Sequence, residues 1–278
     1  MRVATWNVNS IRTRFPVVID FLHRLDIDVV LMQETKCRDD QFPLDAFADA
    51  GYELAHYGLN QWNGVGIASR LPLRDIEEGF AGMPGFSKDH NADQLPEARA
   101  ISASVDGVRL CSVYVPNGRS VDDPHFEYKL SWLTALGHAF ADYARTPDAL
   151  PYAIGGDFNV APGDLDVGDP AFHHPGTTHT SVPEREALKR FEHTAGVTDV
   201  VRERVPEGFT FWDYKQGKFA KDHGLRIDFI FGTPTFAERV VDARIHREER
   251  AGEGPSDHVP VVVELGGPSD DDDRPMVF

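Results

Sequence analysis

The sequence PYAIGGDFNV, residues 151–160, is an apolar run that ends in a carboxylate and a carboxamide two residues apart. Residues two apart on an extended segment point the same way, so we expect Asp157 and Asn159 to converge on one point. A second segment, SDH at residues 256–258, leads into the apolar run 259–263. Carboxylates, an amide and an imidazole at strand ends suit metal-assisted attack of water on a phosphate.

Two more apolar runs end in polar side chains, and the pattern as a whole predicts a mixed α/β protein. VATWN (residues 3–7) ends in an amide, and VVLMQETK (residues 29–36) carries Glu34 near its end. The hairpin predicted at Gly107 favours two stacked sheets flanked by helices over a purely parallel sheet. The predicted strands are residues 2–6, 27–32, 52–57, 64–69, 99–105, 108–114, 151–155, 227–231 and 259–265. The predicted helices are residues 11–24, 40–49, 125–144 and 184–194.

Six segments in chain order carry a resemblance to a known family. They are WNVNSIR (6–12), LMQETK (31–36), VYVPNGR (113–119), GGDFNVAP (155–162), GLRIDFIF (224–231) and PSDHVPVV (255–262). Together they resemble the exonuclease III family of abasic-site endonucleases, within the endonuclease/exonuclease/phosphatase superfamily. The resemblance covers residues 1–265 and implies a four-layered α/β sandwich, in which two stacked mixed β-sheets are flanked by helices. It also implies a site where loops from both sheets meet.

The resemblance and the chemistry of the side chains together assign catalytic roles. Asp157 is expected to act as the base or to orient the attacking water, with Asn159 beside it. His258 is expected to contact the scissile phosphate, and Asp228 to fix its tautomer. Tyr114 is expected to donate to a phosphate oxygen or, at a lowered pKa, to share a proton with the leaving group.

Mg²⁺, with Mn²⁺ as a substitute, is the expected cofactor because carboxylate and carbonyl oxygens are the ligands it prefers. Glu34 is the first expected ligand, and the resemblance completes the shell with Asp257 or with Asn7 and Asn9. A glycine pair before Asp157 is expected to let the backbone turn tightly beside the substrate.

The DNA-binding residues are predicted from two further segments. Asn117 and Arg119 are expected to contact the DNA backbone. The aromatic stretch 209–214 predicts a pocket for a sugar without its base, although such clusters are ordinarily core. The resemblance places Phe211, Trp212, Leu225 and Ile227 around that pocket. Lys215, Lys218, Lys221 and Arg226 form a basic stretch expected to receive phosphates.

The composition is that of an acidic globular protein. Forty-five acidic against 28 basic residues, only seven of them lysine, give a net charge of −17. This balance fits a protein that works in high salt, where repulsion from DNA is screened, or an arginine-rich composition without habitat information. We expect one domain, residues 1–266, and a disordered acidic tail, residues 267–278. Cys37 and Cys111 show no metal-ligand spacing and are expected to be reduced, packed thiols.

The sequence therefore predicts a Mg²⁺-dependent DNA repair phosphodiesterase. It is expected to incise 5′ to abasic sites, to clean 3′ ends and to degrade duplex DNA as a 3′→5′ exonuclease. Its expected partner is duplex DNA with abasic sites or 3′-blocked ends. Without a leader or a membrane-length apolar run, we expect a cytoplasmic monomer. Two alternatives stay open: a phosphoesterase acting on RNA, an inositol phosphate or a lipid head group, and a catalytically inactive DNA-binding module.

Overall fold

The structure, a computed structural model, describes residues 1–89, 91–174 and 176–267, and these form two stacked six-stranded sheets. In the first sheet the strands follow the order β11-β12-β1-β2-β4-β3, and in the second the order β5-β6-β7-β8-β10-β9. With strands numbered along the chain, the first sheet comprises β1 (Arg2–Asn7), β2 (Val29–Gln33), β3 (Glu53–Tyr57), β4 (Val65–Ser69), β11 (Val240–Ile245) and β12 (Val261–Leu265). The second comprises β5 (Arg74–Glu78), β6 (Ala100–Val105), β7 (Val108–Tyr114), β8 (Tyr152–Asp157), β9 (Thr198–Asp199) and β10 (Asp228–Gly232).

Three large apolar clusters lie between and outside the sheets, which gives four layers, and a fourth, small cluster contains Leu225 and Ile227. The middle cluster joins residues of both sheets, among them Leu31 and Ile230. The other two lie against the helices and contain Phe21 on one side and Leu133 on the other. The helices are α1 (Ile11–Arg24), α2 (Leu44–Asp49), α3 (Pro124–Tyr143), α4 (Val182–Ala195) and the short α5 (Pro234–Ala237). The predicted four-layered sandwich is confirmed.

Local sequence signals explain where α3 and α4 begin and where α4 ends. The Asp123 side chain accepts a hydrogen bond from the backbone of His125, with Pro124 in the first turn of α3. At α4, the Glu184 carboxylate accepts the backbone N–H of Ser181, and Gly196 ends the helix in the left-handed region. The hairpin predicted at Gly107 is present, because Asp106 and Gly107 both have positive φ between β6 and β7.

The prediction missed three strands and extended one helix too far. β5, β9 and β11 went unpredicted, because β5 is exposed along its length and β9 is only two residues long. β11 is an edge strand whose exposed residues interrupt the apolar pattern. The helix predicted at 40–49 begins only at Leu44, since Pro43 precedes it.

The glycine pair serves sheet packing rather than a turn. Gly155 and Gly156 both lie inside β8, and a Cβ on Gly155 would stand 2.7 Å from Leu31 of the opposite sheet. A Cβ on Gly156 would collide with the carbonyl of Val113. The expected tight turn at this pair is therefore wrong, and the glycines allow close approach of neighbouring backbone and side chains.

Both cysteines are buried thiols, as predicted. Burial raises the pKa of Cys37 to about 11 and the pKa of Cys111 to about 12.

The acidic tail lies outside the described residues after Gly267, so the domain boundary stays a prediction. Among the residues that the structure describes, no helix has the length and apolar character needed to span a bilayer.

Candidate active site

The polar side chains named from the sequence lie where inner strands of both sheets end. In the second sheet, Asp157 at the end of β8 is the register partner of Tyr114 on one side and Asp228 on the other. In the first sheet, Asn7 at the end of β1 pairs with Gln33 at the end of β2, and Glu34 is the next residue after Gln33. Register therefore puts the amide and carboxylates of two sheets at one edge of the sandwich.

Asn7 joins the two halves of this site. Its buried Nδ2 donates to Glu34 Oε1 at 2.8 Å and to Asp157 Oδ2 at 2.9 Å. The same nitrogen lies 3.4 Å from Nε2 of His258. One amide thus holds carboxylates from both sheets in contact, and the site exists only when the sheets are docked.

The two oxygens of Asp157 have different partners. Oδ1 accepts the backbone N–H of Asn159 at 2.9 Å, which is an Asx-turn. Oδ2 faces Asn7 and His258 and is the oxygen available for chemistry. Burial raises the pKa of Asp157 to about 7, against the opposing effect of the His258 charge and helped by Asp228 and Glu34.

His258 lies between two carboxylates. Its Nδ1 is 2.9 Å from Asp228 Oδ2, and its Nε2 is 3.7 Å from Asp157 Oδ2. Burial acts to lower the pKa of His258, but the charges of Asp228 and Asp157 outweigh it and raise the pKa to about 10. The imidazolium form, with both ring nitrogens as donors, is therefore the state at neutral pH.

We expect Asp228→Ala and His258→Ala each to lower kcat by about 10²- to 10⁴-fold. Either change disables the hydrogen-bond donor that the two residues form together. The double variant should lose far less than the product of the single losses. Steady-state kinetics of the four proteins, with thermal unfolding as a check on folding, measures the cycle. Multiplicative losses would show that the two residues act separately.

Lys36 is a site residue that the sequence analysis missed. Its Nζ lies 2.7 Å from Glu34 Oε2 and 2.6 Å from Asn9 Oδ1. Asn9 in turn donates to Asp257 Oδ1 at 2.9 Å, which links Asp257 to the centre through Asn9. Glu34 and Lys36 both have positive φ, a local conformation that no residue in QETK indicates. The QETK motif, which contains Lys36, was the sequence signal that could have identified this residue.

The geometry fits a divalent cation. Among the described residues, one ligand atom each of Glu34, Asp157 and His258 lie within 4.8 Å of one another. Because His258 is protonated and bound to Asp228, the carboxylates are the members suited to hold a hard cation. Asp257 and Asn9 lie outside this compact group, and their role as ligands stays a prediction.

Tyr114 is a phenol donor. Arg99 lies over its ring at 4.8 Å, yet burial and the nearby charge of Glu34 raise the pKa of Tyr114 well above its usual value. This shift favours the phenol over the phenolate, which argues against a role for Tyr114 at a lowered pKa. Its other predicted role, donation to a phosphate oxygen, is unaffected.

A second polar group borders the site on the side of the loop 161–183. Asn117 Nδ2 donates to Asn159 Oδ1 at 3.2 Å and lies 3.4 Å from Nε2 of His179. His179 Nδ1 donates to the carbonyl of Asn159 at 2.6 Å. Burial and the charge of Lys129 lower the pKa of His179 to about 4, so the ring is neutral. The sequence analysis missed His179; the length and histidine content of its loop were the available signal.

A buried ion pair lies beneath these loops. Lys129 of α3 and Glu184 of α4 form a salt bridge, and both side chains are fully buried. The ammonium also donates to the carbonyls of Asn117 at 3.2 Å and Asn159 at 2.6 Å. Glu184 Oε1 accepts the backbone N–H of His179 at 2.8 Å. The pair therefore ties the loop between β7 and α3, which carries Asn117, to both ends of the connection between β8 and α4, which carries Asn159 and His179.

The predicted abasic pocket is only partly accessible. Phe211 is half-buried, and its ring centroid lies 4.9 Å from that of His258. Leu225 and Trp212 are fully buried, and Trp212 donates to Asp222. Of the four residues predicted to line the pocket, Phe211 alone offers an accessible face, because Trp212, Leu225 and Ile227 are buried and the last two belong to an apolar cluster.

Arg226 does not belong to the basic stretch. It is buried, forms a salt bridge with Asp199 and lies 3.5 Å from Asp166, so its guanidinium is not free for phosphates. The sequence could not show this pairing, because both aspartates are distant along the chain. Lys218 is also paired, with Asp169 at 2.7 Å. Lys221 and Arg119 are exposed, and their contact with DNA stays a prediction.

This fold and site define a member of the Endonuclease/Exonuclease/phosphatase family, whose model matches residues 4–258. The chain is 28% identical to exodeoxyribonuclease III of Haemophilus influenzae, over 95% of this chain and 100% of that protein. It superposes with a TM-score of 0.86 on a 3′–5′ exonuclease from Neisseria meningitidis, at 36% identity and covering 96% of this chain and 100% of that one. An AP endonuclease from Archaeoglobus fulgidus gives a TM-score of 0.83 at 34% identity, covering 95% and 99%. The resemblance inferred from the sequence is confirmed.

Proposed function

We propose that this protein is a Mg²⁺-dependent DNA repair phosphodiesterase. It incises 5′ to abasic sites, removes 3′-blocking groups and degrades duplex DNA from 3′ ends. The observation that carries the proposal is the convergence of Asn7, Glu34, Asp157 and His258 at one edge of the sandwich. A related Neisseria enzyme whose structure contains a product DNA hairpin is a 3′ phosphatase, which supports action on 3′ ends.

The side chains divide the reaction among them. Asp157 Oδ2 accepts the proton of the attacking water, and Asn159 holds the Asp157 carboxylate through its other oxygen. His258 donates from Nε2 to a phosphate oxygen while Asp228 keeps it charged, and Tyr114 donates beside it. A divalent cation held by Glu34, with Asn7, Asn9 and Asp257 as further ligands, would neutralise developing charge on the phosphate and the leaving oxygen.

Acidic residues are unevenly distributed along this acidic chain. Residues 1–19, 54–74, 107–121 and 170–183 contain no Asp or Glu. These four segments include four residues at or beside the site: Asn7, Asn63, Asn117 and His179. Asn63 is among them because its carbonyl accepts the backbone N–H of Lys36. A phosphate backbone that meets these four segments encounters no carboxylate side chain from them.

We expect Glu34→Gln to lower activity on the order of 10²-fold and to flatten its dependence on Mg²⁺, because the amide is a weaker ligand for a hard cation. Activity measured across a Mg²⁺ titration tests this. Glu78→Gln, on the exposed edge strand β5, is the matched control and should titrate like the wild type. A Glu34→Gln curve that overlays the wild-type curve would remove Glu34 from the ligand set.

The experiment that tests the function uses end-labelled duplex DNA with one reduced abasic-site analogue, and a second duplex with a 3′-phosphate. Each is incubated with Mg²⁺ or EDTA over a range of KCl concentrations. Metal-dependent incision 5′ to the lesion and release of phosphate from the 3′ end are the expected results. Failure on both across all salt conditions would contradict the proposal, and inositol phosphates would be tested next.

We also propose that the protein acts in the cytoplasm as a monomer. Residues of both sheets within one chain supply the whole candidate site, so no second copy is required to complete it. Light scattering on the eluting peak of a gel-filtration column should give the mass of one chain, 31.0 kDa. A peak at twice that mass would contradict the monomer.

A further inference from the structure

Trp62 differs from the other tryptophans of the chain. Trp6, Trp132 and Trp212 are buried, whereas Trp62 is 70% exposed in the loop between β3 and β4. Single exposed apolar side chains are common on protein surfaces, so the exposure of Trp62 points to a partner only together with its place beside the candidate site.

The loop that carries Trp62 is fastened to the candidate active site. The carbonyl of Asn63 accepts the backbone N–H of Lys36 at 2.8 Å, and that of Gly64 accepts the N–H of Thr35 at 3.1 Å. Both bonds are made to residues that immediately follow Glu34. Trp62 is therefore held at a fixed place beside the end of β2, one residue from the contact with Lys36.

The same loop is also tied to the loop that precedes β6. Asn63 Nδ2 donates to Glu97 at 2.9 Å, and the N–H of Gly64 donates to the carbonyl of Ala98 at 3.0 Å. These tethers fix the backbone that follows Trp62. An exposed indole on a tethered backbone can bind a flat ligand with little loss of backbone entropy.

The chemistry around Trp62 favours a nucleobase as that ligand. Residues 58–64, GLNQWNG, are uncharged, and they lie within the segment 54–74 that contains no carboxylate. A polyanion meets no repulsion from the loop itself. Every base has a π-face, so an indole can stack on any of them without sequence preference, as a repair nuclease requires.

We propose that Trp62 is a stacking platform for one base of the DNA substrate, beside the scissile phosphate held near Glu34. This inference rests on the proposed function and adds a binding residue to it. Trp62 acts in binding rather than in the chemical step, since it lies outside the group around Asp157. Its removal therefore raises KM and leaves kcat at saturating DNA close to the wild-type value.

The test exploits the burial of the other three tryptophans. Intrinsic fluorescence of the whole protein is titrated with duplex DNA carrying the abasic analogue, in EDTA to prevent cleavage. Binding should quench the Trp62 emission and protect it from acrylamide. Trp62→Ala should bind on the order of tenfold more weakly and lose the protected component, whereas Trp62→Phe should retain most of the affinity. Ile76→Ala, an exposed apolar residue on β5, is the control and should bind normally.

The outcomes separate this inference from the proposed function. If the wild type cleaves the abasic duplex with Mg²⁺ and Trp62→Ala binds it with unchanged affinity, the stacking role is wrong and the nuclease function stands. An unquenched wild-type titration at saturating DNA would overturn the stacking role in the same way. If the wild type cleaves neither duplex, the proposed function itself fails.

Discussion

Asp157→Asn is expected to lower kcat by about 10²- to 10⁴-fold while DNA binding survives. The amide has nearly the same shape, and its oxygen can still accept the backbone N–H of Asn159. It cannot accept a proton from water, which is the role assigned to Oδ2. Removal of a negative charge also lessens repulsion from phosphates, so the affinity for DNA should be equal or higher.

Single-turnover cleavage and equilibrium binding, measured on the same abasic duplex, separate these effects. Asp164→Asn is the matched control, because Asp164 follows in the same loop but its side chain is 85% exposed and paired with Arg185. The control should cleave like the wild type. Normal cleavage by Asp157→Asn would show that another group takes the proton from the attacking water.

Lys129→Met should destabilise the protein by about 3–5 kcal/mol, because it leaves the buried Glu184 carboxylate without its partner. Urea unfolding followed by circular dichroism measures the loss. The matched control is Lys189→Met on the same helix as Glu184, where the lysine is exposed, and it should change stability little.

A second variant separates stability from function. Lys129→Met combined with Glu184→Leu replaces the whole ion pair by apolar groups, which often restores stability. The carbonyls of Asn117 and Asn159 still lose their ammonium donor, so we expect kcat to remain low in the restabilised protein. Recovery of stability and kcat together would mean that the pair supports folding alone.

Much of the fold could be predicted from the sequence, because its signals are local. The apolar runs that became β1, β2, β7 and β8 are continuous and end in polar residues, so both the strands and their ends were visible. The turn at Asp106 and Gly107 could be predicted because a tight hairpin needs positive φ, which glycine adopts readily. β5, β9 and β11 could not be predicted, since edge strands are short or exposed and their pairing depends on a neighbour far along the chain.

The candidate site was predictable in its members and less so in their environments. Asp157 and Asn7 could be named because they follow apolar strands within motifs. The burial of Trp212 and the pairing of Arg226 depend on residues distant in sequence, and so does the protonated state of Tyr114. Sequence patterns indicate which groups are present, whereas charge state and accessibility follow from tertiary packing.

The order of strands along the chain has a consequence for biosynthesis. The second sheet is formed by residues between 74 and 232, and the first sheet is completed only when β12 pairs with β1. His258 lies three residues before the first residue of β12, so it is among the last groups of the site to leave the ribosome. Nascent chains can build the docking surface of the second sheet and still lack the imidazole and the closing strand. The complete site therefore forms only after translation has passed these residues.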